Sequence, residues 1–396
     1  MAEPFLKEYL MTAGPTPLPP AVSQAMAEPM LYHRAPAFVD VYSRCLQRLR
    51  RVFQTENDVL AFASTGSGAM ESAVANLVRP GEPAFVASCG KFGERWAELC
   101  NAYGAATIHH RAEWGSRVEP AELDRLLAES SDEVRVAFVT LSETSTGVVN
   151  DIQGLAEAAH RHGALLAVDA VSALGAIPVN QDPWKVDVVV AGSQKALMCP
   201  PGLAFASVNE AALRRTADSP GRRYYFDWEK TAQGQRRDPP DSPFTPAVGL
   251  FMALDVALEL ILEREGLDAV FERHALLGKA TREAAKALEL ELFGPEDERA
   301  AVVTAIRVPD GVDGGRIPKI MRDRYRITVA GGQGQLKDRI VRIAHCGYFG
   351  AFDILTAVAA LEMALSELGH DVELGAGVGA AQRTFLEAGV PAATPA

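Results

Sequence analysis

The chain has 396 residues, 48% of them hydrophobic, which is enough to bury a large core and, by size, to divide into two domains. Its formal net charge of −12 argues against a nucleic-acid or anionic-membrane surface, either of which needs a basic face, and favours a small-molecule substrate. No basic-then-apolar leader pattern and no apolar run of membrane-spanning length is present, so a cytoplasmic protein is expected, and the five scattered cysteines (Cys45, Cys89, Cys100, Cys199, Cys346) lack the spacing of a disulfide framework or a zinc site.

In chain order, the proline-rich segment Ala13 to Pro20 (AGPTPLPP) reads as an extended arm ahead of the body. From about Asp58 to Val208, short apolar runs alternate with helix-like stretches. Expected strands are Val59 to Ala63, Ala84 to Ser88, Val134 to Leu141, Leu165 to Val168, Val186 to Ala191 and Leu203 to Val208. Several are continuous Val, Leu, Ala or Phe runs, the pattern of strands buried on both faces, which predicts a mostly parallel α/β sheet. The helices expected between them are Ala69 to Val78, Gly93 to Tyr103, Pro120 to Glu129 and Ile152 to His162, the last closed by Gly163. Residues 214 to 246, with their RR, GRR and QRR clusters and five prolines, read as an irregular connection. Helices over Pro246 to Arg264 and Leu267 to Leu288 follow, then strands Val302 to Val308 and Arg339 to Ala344, the make-up of a smaller α+β domain beginning near residue 264. From about Glu373 the chain is rich in Ala, Gly and Pro and is expected to be partly disordered, apart from a short helix near Arg383 to Ala388.

Three signals lie at the ends of expected strands. Ser64-Thr65-Gly66-Ser67-Gly68-Ala69 opens a helix after the first, and small residues with exposed backbone N–H groups there suit a phosphate. It lacks a P-loop lysine and the third glycine of a dinucleotide fingerprint, and it is equally read as a plain strand-to-helix turn. Asp169 ends the strand before Ala170-Val171-Ser172, where α/β folds place ligands; it is either the partner of a pyridinium N–H, keeping the ring an electron sink, or a helix N-cap. Lys195, in Gly192-Ser193-Gln194-Lys195-Ala196-Leu197, follows another buried strand. A lysine there is usually a surface residue, but apolar surroundings would lower its pKa and favour the amine that forms a Schiff base.

With these three in order, the chain resembles the class V aminotransferases of pyridoxal-5'-phosphate (PLP) fold type I, specifically the alanine/serine–glyoxylate group, from the arm to about residue 370. G-S-Q-K-A-L followed by Pro200-Pro201-Gly202 is the most specific piece. The resemblance implies a large PLP-binding domain over residues 21–263 with a mostly parallel seven-stranded-type sheet, a small α+β domain over 264–372, an arm over 1–20 and a tail over 373–396. It implies Lys195 as the Schiff-base lysine, Asp169 on the pyridine nitrogen, and Thr65, Gly66, Ser67 and Gln194 around the phosphate. It also places Phe92 (in C-G-K-F-G) on the cofactor ring, where many members have Trp, and Thr144 (in S-E-T-S-T-G) beside the ring's phenolic oxygen. Arg342, in V-R-I-A-H-C-G-Y, resembles the family's carboxylate-gripping R-I-G-H-x-G-Y strand with Ala344 in place of glycine. Thr245 resembles a residue sent across a dimer interface to the partner's phosphate.

The activity so implied is ping-pong amino transfer in a homodimer, from alanine or serine to glyoxylate or pyruvate, with aspartate as another donor. A class V lyase such as a cysteine desulfurase usually carries His before its lysine and a reactive loop cysteine, where this chain has Gln194 and no such cysteine. A non-catalytic subunit of the same fold is the rival from another class, opposed by the presence together of Lys195, Asp169 and Arg342. His33 and Arg34 are either donor-pocket residues or surface residues near the arm.

Overall fold

A computed structural model describes residues 7–130, 133–217, 223–297 and 299–389. A seven-stranded sheet is formed by β1 (Asp58–Ser64), β2 (Pro83–Ser88), β3 (Ala106–Arg111), β4 (Val136–Thr140), β5 (Leu165–Asp169), β6 (Val188–Gly192) and β7 (Gly202–Val208). Their order is β1-β7-β6-β5-β4-β2-β3, and β7 alone runs antiparallel to its neighbours. The apolar runs are explained by burial on both sides: Val189 and Ala191 of β6 enter one core while Val188 and Val190 enter the other. Because the other six strands run the same way, the loops after β1, β2, β4, β5 and β6 gather along one edge of the sheet. That edge is where open α/β sheets bind ligands.

One sheet strand escapes the apolar-run rule. β3 (ATIHHR) pairs only with β2 and is half-exposed or exposed throughout, so it has no continuous apolar signature. Helices over Pro20–Ala27 and Pro36–Phe53 were likewise not expected. The second has proline at its first turn and ends on Gln54 in the left-handed region; Phe38, Tyr42, Cys45, Leu49 and Val52 form its buried stripe.

The smaller unit is a three-stranded antiparallel sheet, with Ile340–Ala344 between Val303–Arg307 and Ala330–Gly331, packed on helices Leu267–Ala287, Ile317–Tyr325 and Ala351–Glu367. The N-terminal arm does not stand ahead of this body. Tyr9–Leu10 pairs in parallel with Ile327–Thr328, and Met11 and Ala13 are buried in the smaller core.

Three further expectations differ from the structure. The connection over 214–246 contains a helix, Trp228–Gln235, because Asp227 caps it by accepting from Lys230 N and Trp228 is fully buried. The helix expected over Pro246–Arg264 is α-helical only over Val248–Glu259, continues as a π-turn over Leu260–Glu265, and stops at Gly266, whose φ is +90°. In the tail, Ala376–Ala388 is a full helix, much longer than the stretch expected near Arg383. Buried Glu362 of the preceding helix accepts from Gly375 N and Val378 N at its start, while Ala381 and Phe385 enter the core. Residues 390–396 of the expected tail lie outside the described residues. No described helix is long and apolar enough to cross a membrane.

Candidate active site

β6 delivers Lys195 into a closed corner. The arm crosses it: Lys195 Nζ donates to Ala13 O, Thr16 Oγ1 donates to Lys195 O at 2.8 Å, and a Cβ on Gly14 would overlap the lysine's own Cδ, Cε and Nζ. Burial disfavours the ammonium and lowers the lysine's pKa, against the opposing influence of Cys346 and Asp169. The site therefore holds an amine more readily than bulk water does.

Asp169 ends β5 and is buried, one carboxylate oxygen accepting from Val171 N at 2.8 Å. No helix follows, so that bond closes a turn and is not the helix N-cap the sequence also allowed. Burial nevertheless pushes its carboxyl up to about 6, with buried Glu143 adding to the rise and Arg95 and Lys195 opposing it. A cation is the ligand that would relieve such a group.

After β1, Gly66 opens helix Gly66–Leu77, with Thr65 as N-cap and making no side-chain cap bond. A Cβ on Gly66 would come within 2.7 Å of Val171, and one on Gly192 within 3.0 Å of Gly66 N and 2.8 Å of Gln194 Oε1. Glycine at both places seats the helix start against the ends of β5 and β6. Gln194 Oε1 is buried there with no hydrogen-bond partner, while Thr65 and Ser67 are exposed.

Phe92 begins the helix Lys91–Ala102, with Lys195 Nζ 6.0 Å from its ring centre. Thr144 is buried, and its carbonyl accepts from Arg342 Nη1 at 2.7 Å. Arg342 is not the exposed strand residue its alternation allows. It is buried, its Nε and Nη2 donate to Gly331 O at 3.0 and 2.8 Å, and burial pulls its pKa down. All three of these bonds go to backbone carbonyls.

Lys195, Asp169, Gly66, Gln194, Phe92, Thr144 and Arg342 thus gather around one edge of the sheet, with Thr65 and Ser67 at its rim. Thr245 does not join them within the chain: it is exposed, in a small pocket with Tyr42, Phe62, Tyr225 and Phe244. His33 and Arg34 contact one another at 3.3 Å, His33 half-buried and Arg34 exposed.

Two groups organising the site were missed from sequence. Glu143, fully buried, accepts from Phe92 N (3.0 Å), Gly93 N (2.8 Å), Ser145 N (3.0 Å) and Ser145 Oγ (2.6 Å). With Ser145 Oγ also accepting from Lys91 N at 2.9 Å, Glu143 sits in a closed net whose hydrogen bonds oppose the rise that burial gives its pKa. It ties the helix bearing Phe92 to the loop bearing Thr144. The second group is Arg273–His274, which grips Gly347: His274 Nε2 accepts from Gly347 N at 2.9 Å and Arg273 Nη1 donates to Gly347 O at 2.8 Å. A Cβ on Gly347 would stand 3.3 Å from Lys195 O, so this grip presses the segment after the Arg342 strand against the lysine. Glu143 was visible within S-E-T-S-T-G; nothing in sequence joins residue 274 to 347.

The chain is 42% identical over 387 residues to the small subunit of a soluble hydrogenase from Synechococcus sp., covering 96% of this chain and 99% of the relative. It is 35% identical over 393 residues to the serine–glyoxylate aminotransferase of Methylorubrum extorquens, covering 96% of each. Among solved structures, ureidoglycine–glyoxylate aminotransferase from Bacillus subtilis superposes with a TM-score of 0.90 at 28% identity, over 98% of this chain and 99% of that one. The class-V aminotransferase profile matches residues 8–342. With most of the chain matched, and a lysine amine, a buried aspartate and a buried arginine arranged around one sheet edge, the protein belongs to the class-V aminotransferase family.

Proposed function

We propose that this protein is a PLP-dependent transaminase moving an amino group from a small amino acid, alanine or serine, to glyoxylate or pyruvate, both substrates using one site in turn. The observation that carries this reading is Lys195: a buried amine of lowered pKa at the mouth of a parallel sheet, facing Asp169 and Arg342. The residues fit PLP on independent grounds. A protonated ring nitrogen answers Asp169, whose carboxyl is otherwise pushed up to about 6, and an anion at the start of helix Gly66–Leu77 answers the glycine-lined cradle and the unpartnered Gln194 amide, which can turn its NH2 inward. When bound, PLP supplies a carbonyl that condenses with amines and a ring that accepts the electron pair released at Cα.

The chain's own residues supply the rest. Asp169 holds the proton on the ring nitrogen, and Phe92 covers a ring face. Arg342, aimed by the carbonyls of Gly331 and Thr144, keeps one N–H on each of Nη1 and Nη2 to offer a substrate carboxylate. Lys195 would hold the cofactor through its amine, and its Nζ, when free, would be the base that takes the proton from substrate Cα and the acid that gives it back. In a homodimer Thr245, exposed in this chain, would serve the phosphate of the partner's cofactor, and the cytoplasm is the compartment we assign.

A panel of amino donors, with aspartate included, assayed against glyoxylate and pyruvate tests the reading; activity with alanine or serine is the expected result. A second reading, a non-catalytic subunit, is favoured by the name of the Synechococcus relative. Purified protein that stays colourless with added PLP would support it.

A further inference from the structure

Three cations face the site, and the proposed mechanism employs two. Lys195 is the amine and Arg342 the carboxylate ligand. The third is Arg95, on the helix Lys91–Ala102, whose charge bears on both Lys195 and Asp169. Its neighbours on the same helix are paired, Lys91 with Glu94 and Glu98, but among the described residues Arg95 has no ion pair. Instead its guanidinium lies 5.2 Å from the Phe92 ring centre, and Nη1 donates to Ser67 Oγ at 3.0 Å.

The cradle beside it is otherwise neutral. Gly66 N, the hydroxyls of Thr65 and Ser67 and the amide of Gln194 can each donate a hydrogen bond, but none carries charge, and a phosphate monoester brings close to two negative charges at neutral pH. The Gln194 side chain at Gly192 and Gly66, whose buried Oε1 has no partner as it stands, is an independent mark that the cradle awaits a ligand, which the amide would meet with its NH2 turned inward. Arg95 reaches the same helix start through Ser67, and a planar fork matches phosphate geometry with two donors. The cation–π contact with Phe92 keeps the guanidinium beside the ring that is to cover the cofactor.

We infer that Arg95 is the charged anchor of the cofactor phosphate, swinging its free N–H groups onto the phosphate oxygens while Phe92 covers the ring, so that one helix grips the cofactor at two points. This rests on the reading of the site as a PLP site. It makes Arg95 a binding residue, remote from the proton transfers at Lys195.

The test compares PLP with pyridoxal, which has the same ring and carbonyl but no phosphate, on wild type, Arg95→Gln and Arg95→Lys, by absorbance titration of the cofactor-free proteins, each checked by its own melting curve. Loss of a charge-assisted contact should weaken PLP binding by about ten- to a hundredfold in Arg95→Gln, with Arg95→Lys intermediate, and leave pyridoxal binding unchanged within about twofold. Inorganic phosphate should raise the melting temperature of the cofactor-free wild type and not of Arg95→Gln. Equal PLP affinity in all three proteins would overturn the inference, as would a parallel loss of PLP and pyridoxal, which would assign Arg95 to the ring through Phe92. Weakened binding of a dicarboxylate such as malonate with PLP binding intact would overturn it too, placing Arg95 on the substrate side. Failure of the wild type itself to take up PLP is a different result, and would undo the reading of the site.

Discussion

The two sides of the site are built by different means. On the large-domain side, Asp169, Lys195 and the glycine cradle each sit within a few residues of a parallel strand buried on both faces, so the strand ends alone put them together. On the small-domain side Arg342 lies inside the central strand of an antiparallel sheet, and its fork is aimed by carbonyls of Gly331 on a neighbouring strand and Thr144 in the other domain. The first arrangement needs only a correct sheet. The second needs the two domains held in register, to which the contact of His274 Nδ1 with Ala176 O at 3.3 Å and the close packing of Gly347 on Lys195 O contribute.

Damage to the large-domain side should therefore abolish chemistry while sparing the fold. Lys195→Ala is expected to lose turnover entirely and still bind PLP; in the wild type, borohydride reduction and peptide mass mapping should find the pyridoxyl group on Lys195, and its appearance on another lysine would end that assignment. Asp169→Asn should lower the rate by orders of magnitude, because an amide does not hold the ring proton. The same change should stabilise the cofactor-free protein. With its carboxyl raised from 3.8 to about 6 by burial, Asp169 favours the fold below about pH 4 and loses that contribution as pH rises through 6, at a cost of about 3 kcal/mol at neutral pH. Cofactor-free Asp169→Asn should accordingly melt a few degrees above wild type at pH 7 and level with it near pH 4, as differential scanning calorimetry would show.

On the small-domain side the effects should be smaller and divide differently. Arg342→Ala removes a bidentate carboxylate contact, and about 2 to 4 kcal/mol of transition-state binding should be lost from both half-reactions alike, with PLP absorbance and affinity near wild type. Lysine should rescue little. Stopped-flow measurement of each half-reaction decides it, since unchanged rates would leave Arg342 a purely structural cation. Glu143→Gln sharpens the comparison. The substituted amide cannot accept at both ends, so two of the four donors converging there lose their acceptor, and urea unfolding should show a loss of about 2 to 3 kcal/mol. KM for the amino donor should rise more than PLP affinity falls, because Thr144, and with it Arg342, is displaced.

The same division explains what was legible in the sequence. Six strands of the sheet announced themselves as apolar runs because both their faces are covered, and Lys195 and Asp169 could be read because each directly follows such a run. β3 could not, since an edge strand with one partner leaves room for polar residues, with His110 half-exposed and Arg111 exposed. Arg342 alternates with Val341 and Ile343 as a surface residue would; its burial is a property of the domain contact, which sequence spacing does not encode. The passage of Gly14 over Lys195 and the capping of the last helix by Glu362 are of the same kind, each pairing residues far apart in the chain. Arg95 was hidden for another reason: on a polar helix face it looks like its ion-paired neighbours until its lack of a partner is seen.

The central claim, that one site passes an amino group through Lys195, is tested most directly by half-reactions in a cuvette. PLP-loaded wild type mixed with alanine or serine, in the absence of any oxo acid, should lose its long-wavelength absorbance in a single turnover and recover it on addition of glyoxylate or pyruvate, while Lys195→Ala should do neither. Wild-type protein that takes up PLP yet shows no spectral change with any amino donor would contradict the account.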